Sequence, residues 1–177
     1  GYSRFEEIIQ EHVENVHYLP QDDNTGLDST YAHDTCKITS KGAIMFTVGK
    51  ELRRGETGAT KKFLEGIGVP ILGEISGEGT MEGGDVVWLD EKTVAVGRGY
   101  RTNYEGIRQF RELTKDIVDE FIVVELPHGD GPDECLHLMS VISMVDHDLA
   151  VVYSKLMPVS FIDLLIERGI ELIEVDD

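Results

Sequence analysis

Three segments of this chain repeat one plan, and each opens on a residue able to hold a cation or move a proton. The plan is a polar lead-in, an apolar hairpin, an amphipathic helix and a short apolar strand. Turn signals fall at Thr39-Ser40-Lys41, Asp90-Glu91-Lys92 and Asp146-His147-Asp148. Apolar spacing predicts helices over residues 54–66, 103–116 and 160–168, and Val/Ile-rich strands over 69–72, 121–126 and 171–175. A hairpin–helix–strand unit buries its apolar faces only against neighbours. The expected architecture is therefore a single partial α+β domain over residues 1–177, with whole units at 31–74, 81–126 and 137–177. Residues 1–20 read as the end of a preceding unit. Ser3 and Glu6 form a capping-box pattern, Phe5, Ile8, Ile9, His12, Val13 and Val16 share a helical face, and His17-Tyr18-Leu19 reads as a strand. A series that opens part-way through a unit and has no hairpin after its third strand is expected to be part of a larger design.

Charge narrows the choice of partner. The chain carries 34 acidic against 16 basic residues, a formal charge of −18. That argues against nucleic acid and anionic membranes as partners and suits a cationic small molecule. Two cysteines, Cys36 and Cys135, are too few for a disulfide framework, so a reducing cytoplasm is the expected compartment. No apolar run is long enough to span a bilayer, and the charged first ten residues lack a signal peptide's apolar centre.

The three lead-ins carry Asp34, Glu82 and His137. Arranged around an axis, equivalent positions converge, and two carboxylates with an imidazole suit cation binding and proton transfer. Met81-Glu82-Gly83-Gly84-Asp85 places two glycines between acids, which allows a tight turn or a close backbone approach. Arg101 stands before the second helix, where the helix dipole does not favour a cation, so an anionic ligand is its expected partner; Arg53 occupies the matching place in the first unit. Cys135 is expected to share a strand face with His137, and both cysteines read as ordinary buried or half-buried thiols rather than nucleophiles. The scattered histidines give no metal motif, and no glycine-rich loop joins a strand to a helix, so neither a metal nor a nucleotide cofactor is expected.

Taken together, Asp28-Ser29 with Asp34, Gly42-Ala43-Ile44, Leu52-Arg53-Arg54-Gly55-Glu56, Met81-Glu82-Gly83-Gly84-Asp85, Arg101-Thr102-Asn103 and Leu136-His137-Leu138 resemble the guanidino-group-modifying enzymes. That superfamily holds the arginine deiminases, dimethylarginine dimethylaminohydrolases and amidinotransferases. The resemblance implies an α/β propeller (pentein) of five ββαβ units, of which this chain would hold about three and a half. It implies hydrolysis of the guanidino group of arginine or a relative without a cofactor, with amidino transfer or non-catalytic arginine binding as alternatives. Asp34 and Glu82 would hold the guanidinium, His137 would be general acid and base, Arg53 and Arg101 would take the substrate carboxylate, Asp28 its amino group, and Asp85 would support the site from behind. The superfamily nucleophile is a cysteine in a glycine-rich segment that this sequence does not contain. Met139 also departs from the pattern, standing where arginine deiminases often have aspartate, and Gly99 stands where serine is frequent. Exposed strand edges in an unfinished ring suggest a homo-oligomer.

Overall fold

The computed structural model describes residues 1–176; Asp177, the last residue of the third expected unit, lies outside them. Three three-stranded sheets follow one another, each with a helix. The first holds β1 (Cys36–Thr39), β2 (Gly42–Met45) and β3 (Ile71–Glu74), with α2 (Arg54–Gly66) between β2 and β3. The second holds β4 (Val86–Trp88), β5 (Thr93–Arg98) and β6 (Glu120–Glu125), with α3 (Tyr104–Thr114). The third holds β7 (Ile142–Asp146), β8 (Leu149–Val152) and β9 (Glu171–Glu174), with α4 (Val159–Glu167). In every sheet the hairpin strands pair antiparallel, and the strand after the helix joins the second hairpin strand in parallel. All three units thus share the ββαβ connectivity expected from the periodicity. A further helix, α1 (Tyr2–His12), precedes them.

Local chemistry accounts for the boundaries. Asn103 caps α3 by accepting from the Gly106 N–H at 2.8 Å, so the helix starts one residue after the cap. Gly169 ends the α4 segment with φ +75°, a conformation glycine adopts without penalty. β3 begins two residues later than the sequence predicts. The Val69 N–H closes α2 on the Leu64 carbonyl at 2.9 Å, and pairing with β2 opens only at the Pro70 carbonyl, which accepts from Ala43 N–H at 2.8 Å.

Two expectations at the N-terminus are overturned. α1 starts at Tyr2 with the Gly1 carbonyl taking its first bonds, so Ser3 lies inside the helix and no capping box with Glu6 forms. Residues 17–19 join no sheet; among the described residues no hairpin strand lies beside them to accept a parallel partner. No residue of α1 is buried, and Phe5 stays 61% exposed, so most of its apolar stripe is open among the described residues.

The two core clusters each continue across a boundary between units. Ile44, Phe46 and Ile75 of the first unit pack with Met81, Val86, Val94, Val96, Ile107 and Phe110 of the second. Phe46 and Phe110 meet edge to face with centroids 5.6 Å apart. On the other side, Val87, Ala95 and Val124 pack with Leu138, Ile142, Ala150, Phe161 and Leu165 of the third unit. Burying each large apolar side chain contributes roughly 1.5–3 kcal/mol, so neighbouring units depend on one another for stability. No helix among the described residues is long and apolar enough to cross a membrane.

Two helix glycines make opposite predictions. A Cβ on Gly106 would stand 2.2 Å from the Thr80 carbonyl oxygen, whereas one on Gly58 meets nothing within 4 Å. In urea unfolding, Gly58→Ala should stabilise the chain by roughly 0.5–1 kcal/mol, and Gly106→Ala should destabilise it by roughly 1–3 kcal/mol. Equal effects would contradict the packing of α3 on the segment before Met81.

Candidate active site

Glu82 sits at the junction of the three units and is fully buried. Its Oε1 accepts from the Gly49 N–H at 2.9 Å and from Arg101 Nη1 at 3.3 Å, while Oε2 lies 2.9 Å from His137 Nε2. The Glu82 N–H is held by Thr102 Oγ1 at 3.2 Å. Asp34 closes a 3₁₀ turn, Ala32–Thr35, and is 3% exposed. Its Oδ1 accepts from Gly84 N–H at 3.1 Å and lies 3.2 Å from His33 Nε2; its Oδ2 accepts from Arg53 Nη1 at 2.9 Å. Asp85 is wholly buried, accepting from Thr102 Oγ1 at 2.6 Å and from the Leu138 N–H at 3.0 Å. It therefore ties the second unit to the backbone beside His137.

The two glycines of the Glu82 motif are explained by space. A Cβ at Gly83 would lie 1.8 Å from the His33 carbonyl oxygen, and one at Gly84 would lie 2.6 Å from His137 Nδ1. Glycine is what lets the three lead-ins approach closely enough for Asp34, Glu82 and His137 to converge.

Beside them lies a cavity of about 530 Å³ lined by Asp28, Asp34, Lys50, Arg53, Arg101 and His137, with Tyr31, Cys135, Met139 and Ser140 also on its wall. A larger space of about 1010 Å³ runs between α2 and residues 19–32, bordered by Leu19, Phe63 and Ile67. It gathers no comparable set of opposed charges. The smaller cavity is the candidate site on chemistry rather than size.

The two arginines differ in freedom. Arg53 is buried, with Nε and Nη2 engaged by Glu56 at 2.8–3.2 Å and Nη1 by Asp34. Its Nη2 also faces the Asp28 and Tyr31 carbonyls at 3.4 and 3.5 Å, which leaves one Nη1 hydrogen unassigned. Arg101 makes one long bond to Glu82 and keeps the rest of its fork toward the cavity. Asp28 is half-buried and pairs with Lys50 Nζ at 2.6 Å.

Burial and charge oppose each other here. Desolvation works against a charged His137, but its bond to Glu82 and the nearby Asp85 and Asp34 charges outweigh that and raise its pKa. Desolvation likewise works against ionised Glu82, yet His137 and Arg101 hold it below its ordinary value. For Asp85 burial wins, pushing it up to about 6. Burial also raises both thiols, Cys36 and Cys135, so neither is set up as a standing thiolate.

The profile of the arginine deiminase family matches residues 9–172. The chain belongs to the arginine deiminase family. Among its relatives, the uncharacterized protein YkgA of Bacillus subtilis is 26% identical over 176 residues, which cover 99% of this chain and 57% of YkgA. The dimethylarginine dimethylaminohydrolase of Pseudomonas aeruginosa is 28% identical over 134 residues, covering 76% of this chain and 50% of that enzyme. The chain spans about half the length of these relatives. A solved structure of the Pseudomonas enzyme, a cysteine-to-serine variant complexed with citrulline, superposes with a TM-score of 0.81 at 25% identity, over 99% of this chain and 64% of that one. The fold is thus the α/β propeller of the guanidino-modifying enzymes, represented here by three ββαβ units.

Within this family member, Lys50 and Tyr31 line the cavity although sequence reasoning singled out neither. Lys50 was findable, because it closes the same hairpin-to-helix segment as Arg53. Cys135 and His137 do not share a strand; residues 126–137 form a loop, and Cys135 is exposed rather than buried. Both still reach the cavity wall, with Cys135 Sγ 3.7 Å from His137 Nδ1.

The pair has a defined pH signature. A raised His137 contributes stability fully below its ordinary pKa of about 6.5 and loses it as pH climbs through the raised value. A lowered Glu82 contributes above its ordinary value near 4.5 and loses it as pH falls through the lowered one. Titration of His137 by NMR should give a pKa above 6.5, and Glu82→Gln should bring it down. An unchanged value in the variant would show that the pair does not form.

Proposed function

We propose that this chain supplies the substrate-holding and proton-transfer half of a guanidino-group hydrolase acting on arginine or a close relative. The observation that carries this is His137, held by buried Glu82, lining one cavity with Asp34, Lys50 and Arg101. A guanidinium is a flat cation whose N–H groups match carboxylate oxygens in parallel pairs. Asp34 supplies a carboxylate on the cavity wall and Glu82 one buried behind it, where exclusion of water strengthens the attraction. Arg101 and Lys50 supply cations for the carboxylate of an amino-acid substrate, with Asp28 beside Lys50 for its amino group. Arg53 serves chiefly to fix Asp34.

In the reaction we assign, a thiolate adds to the guanidinium carbon and the departing amine takes a proton from His137. The C–N bond then breaks to leave a thiouronium. His137 removes a proton from water as its oxygen adds; the C–S bond then breaks to regenerate the thiolate, and the hydroxyl proton leaves to solvent to give the ureido product. The raised pKa of His137 favours the protonated form required for the first half. Cys36 and Cys135 are poor candidates for the nucleophile, because partial desolvation raises both thiol pKa values. We assign the covalent step to a cysteine beyond these residues. The exposed free thiol of Cys135 suits a reducing cytoplasm.

Binding alone tests the reading. L-Arginine at about 100 times its dissociation constant stabilises a one-site protein by about 2.7 kcal/mol, or roughly 5–10 °C in Tm at this size. Glu82→Gln should remove most of that shift. Arg101→Ala should weaken the shift from arginine more than that from agmatine, which lacks the carboxylate. No shift at any concentration, or one indifferent to both substitutions, would sink the proposal.

A further inference from the structure

A second cavity, of about 330 Å³, lies between the end of β5 and residues 126–136. Its wall holds Arg98, Tyr100, His128 and Glu134, with Leu126, Pro127 and Leu136 as apolar surface. That volume is the small end of the range for ligand sites. The loop around it is internally tied. Gly129 and Gly131 turn it at φ +56° and +110°. Glu134 Oε2 accepts from the Asp130 N–H at 2.6 Å, and the Leu126 N–H donates to the Arg98 carbonyl at 3.0 Å. Tyr100 clasps the loop from the other side, with its hydroxyl 2.7 Å from His128 Nδ1 and the two rings edge to face. Arg98 is the member left unsatisfied. Glu125 stands 3.9 Å from its Nε, and the Tyr104 ring centroid is 5.0 Å from its guanidinium carbon, which holds the group in place. Its Nε is buried without a hydrogen-bond acceptor, and a buried donor left unpaired costs free energy. Arg98 lines this cavity and not the one at His137, whereas Arg101 does the reverse.

We propose that this cavity binds a small zwitterion, an α-amino acid with an uncharged side chain. Its carboxylate lies on the Arg98 fork and on His128 Nε2, which carries the ring proton when Nδ1 accepts from the Tyr100 hydroxyl. Its ammonium lies on Glu134, and its side chain on Leu126, Pro127 and Leu136. A plain anion fits less well, because the chain carries a net charge of −18 and Asp130, Asp133 and Glu134 belong to the same loop. A plain cation meets Arg98. The two cavities are joined along the chain: Arg98-Gly99-Tyr100 leads into Arg101, and residues 126–136 lead into His137. A ligand bridging Arg98 and Glu134 holds both segments at once. Resting on the proposed function, its binding therefore strengthens the binding of arginine, and arginine strengthens amino-acid binding by the same factor.

L-Leucine is the probe, because it lacks the guanidinium that the cavity at His137 is proposed to hold. Calorimetric titration of the chain should show one saturable site for it. Isocaproate, which lacks the ammonium, and leucinamide, which lacks the carboxylate, should each bind about 10-fold more weakly or worse. Arg98→Gln should abolish L-leucine binding. Glu134→Gln keeps an acceptor for the Asp130 N–H and should lower binding to the level of isocaproate. Arg101→Ala should leave it intact, which separates this site from the guanidinium cavity. The Arg98 side chain is 43% exposed, so Arg98→Gln should keep the parent Tm and bind L-arginine alone as the parent does. Saturating L-leucine should tighten L-arginine binding by about 5-fold or more in the parent and not in Arg98→Gln. No saturable binding, binding that survives Arg98→Gln or is lost in Arg101→Ala, or isocaproate binding as tightly as L-leucine would overturn the site. L-Leucine binding without any effect on L-arginine affinity would overturn the coupling alone. L-Leucine binding to a chain that does not bind L-arginine would instead count against the proposed function and leave this site standing.

Discussion

A fully buried carboxylate, that of Glu82, is the constraint on which the rest of this structure depends. Taking one such charge out of water costs several kcal/mol unless donors replace the solvent. Here each of the three units sends one: the Gly49 N–H from the first, Arg101 from the second and His137 from the third. Asp34 and Asp85 repeat the device across the same boundaries, through Gly84 N–H and Leu138 N–H. The apolar clusters also continue across boundaries between units. Packing the units together and assembling the site are therefore one event, and a loosened boundary would lower both stability and binding.

The ββαβ units were legible because period-2 and period-3.6 patterns alternate cleanly, with turn residues between them. Convergence of Asp34, Glu82 and His137 was legible from their matched places. Other features needed three dimensions. Gly83 and Gly84 read as a permissive turn, whereas what they provide is clearance from His33 and His137. Arg53 and Arg101 look equivalent in sequence, yet one is locked between Asp34 and Glu56 and the other stays available. The capping box at Ser3 failed because the helix begins two residues earlier than that cap would set it, and the strand at residues 17–19 failed because strand formation needs a partner that local propensity cannot supply.

The charge layout of the cavity bears on selectivity. Asp34 puts a carboxylate on its wall and Glu82 lies behind, bonded to His137 and Arg101, while Lys50 and Arg101 add cations to the lining. A zwitterionic amino acid with a cationic tail complements both ends, and a simple guanidinium complements only one. The net charge of −18 draws cations in general, but over distances that salt screens within about 8–10 Å. On the function proposed, discrimination among cations comes from the close contacts at Asp34 and Glu82.

The most direct test of the central claim is a crystal structure of this chain with L-arginine bound. The account predicts the guanidinium between Asp34 and Glu82, its carbon facing the His137 side of the cavity, and the carboxylate toward Arg101 and Lys50. Arginine bound instead in the larger groove between α2 and residues 19–32, or absent from the Glu82 cavity at saturating concentration, would contradict it.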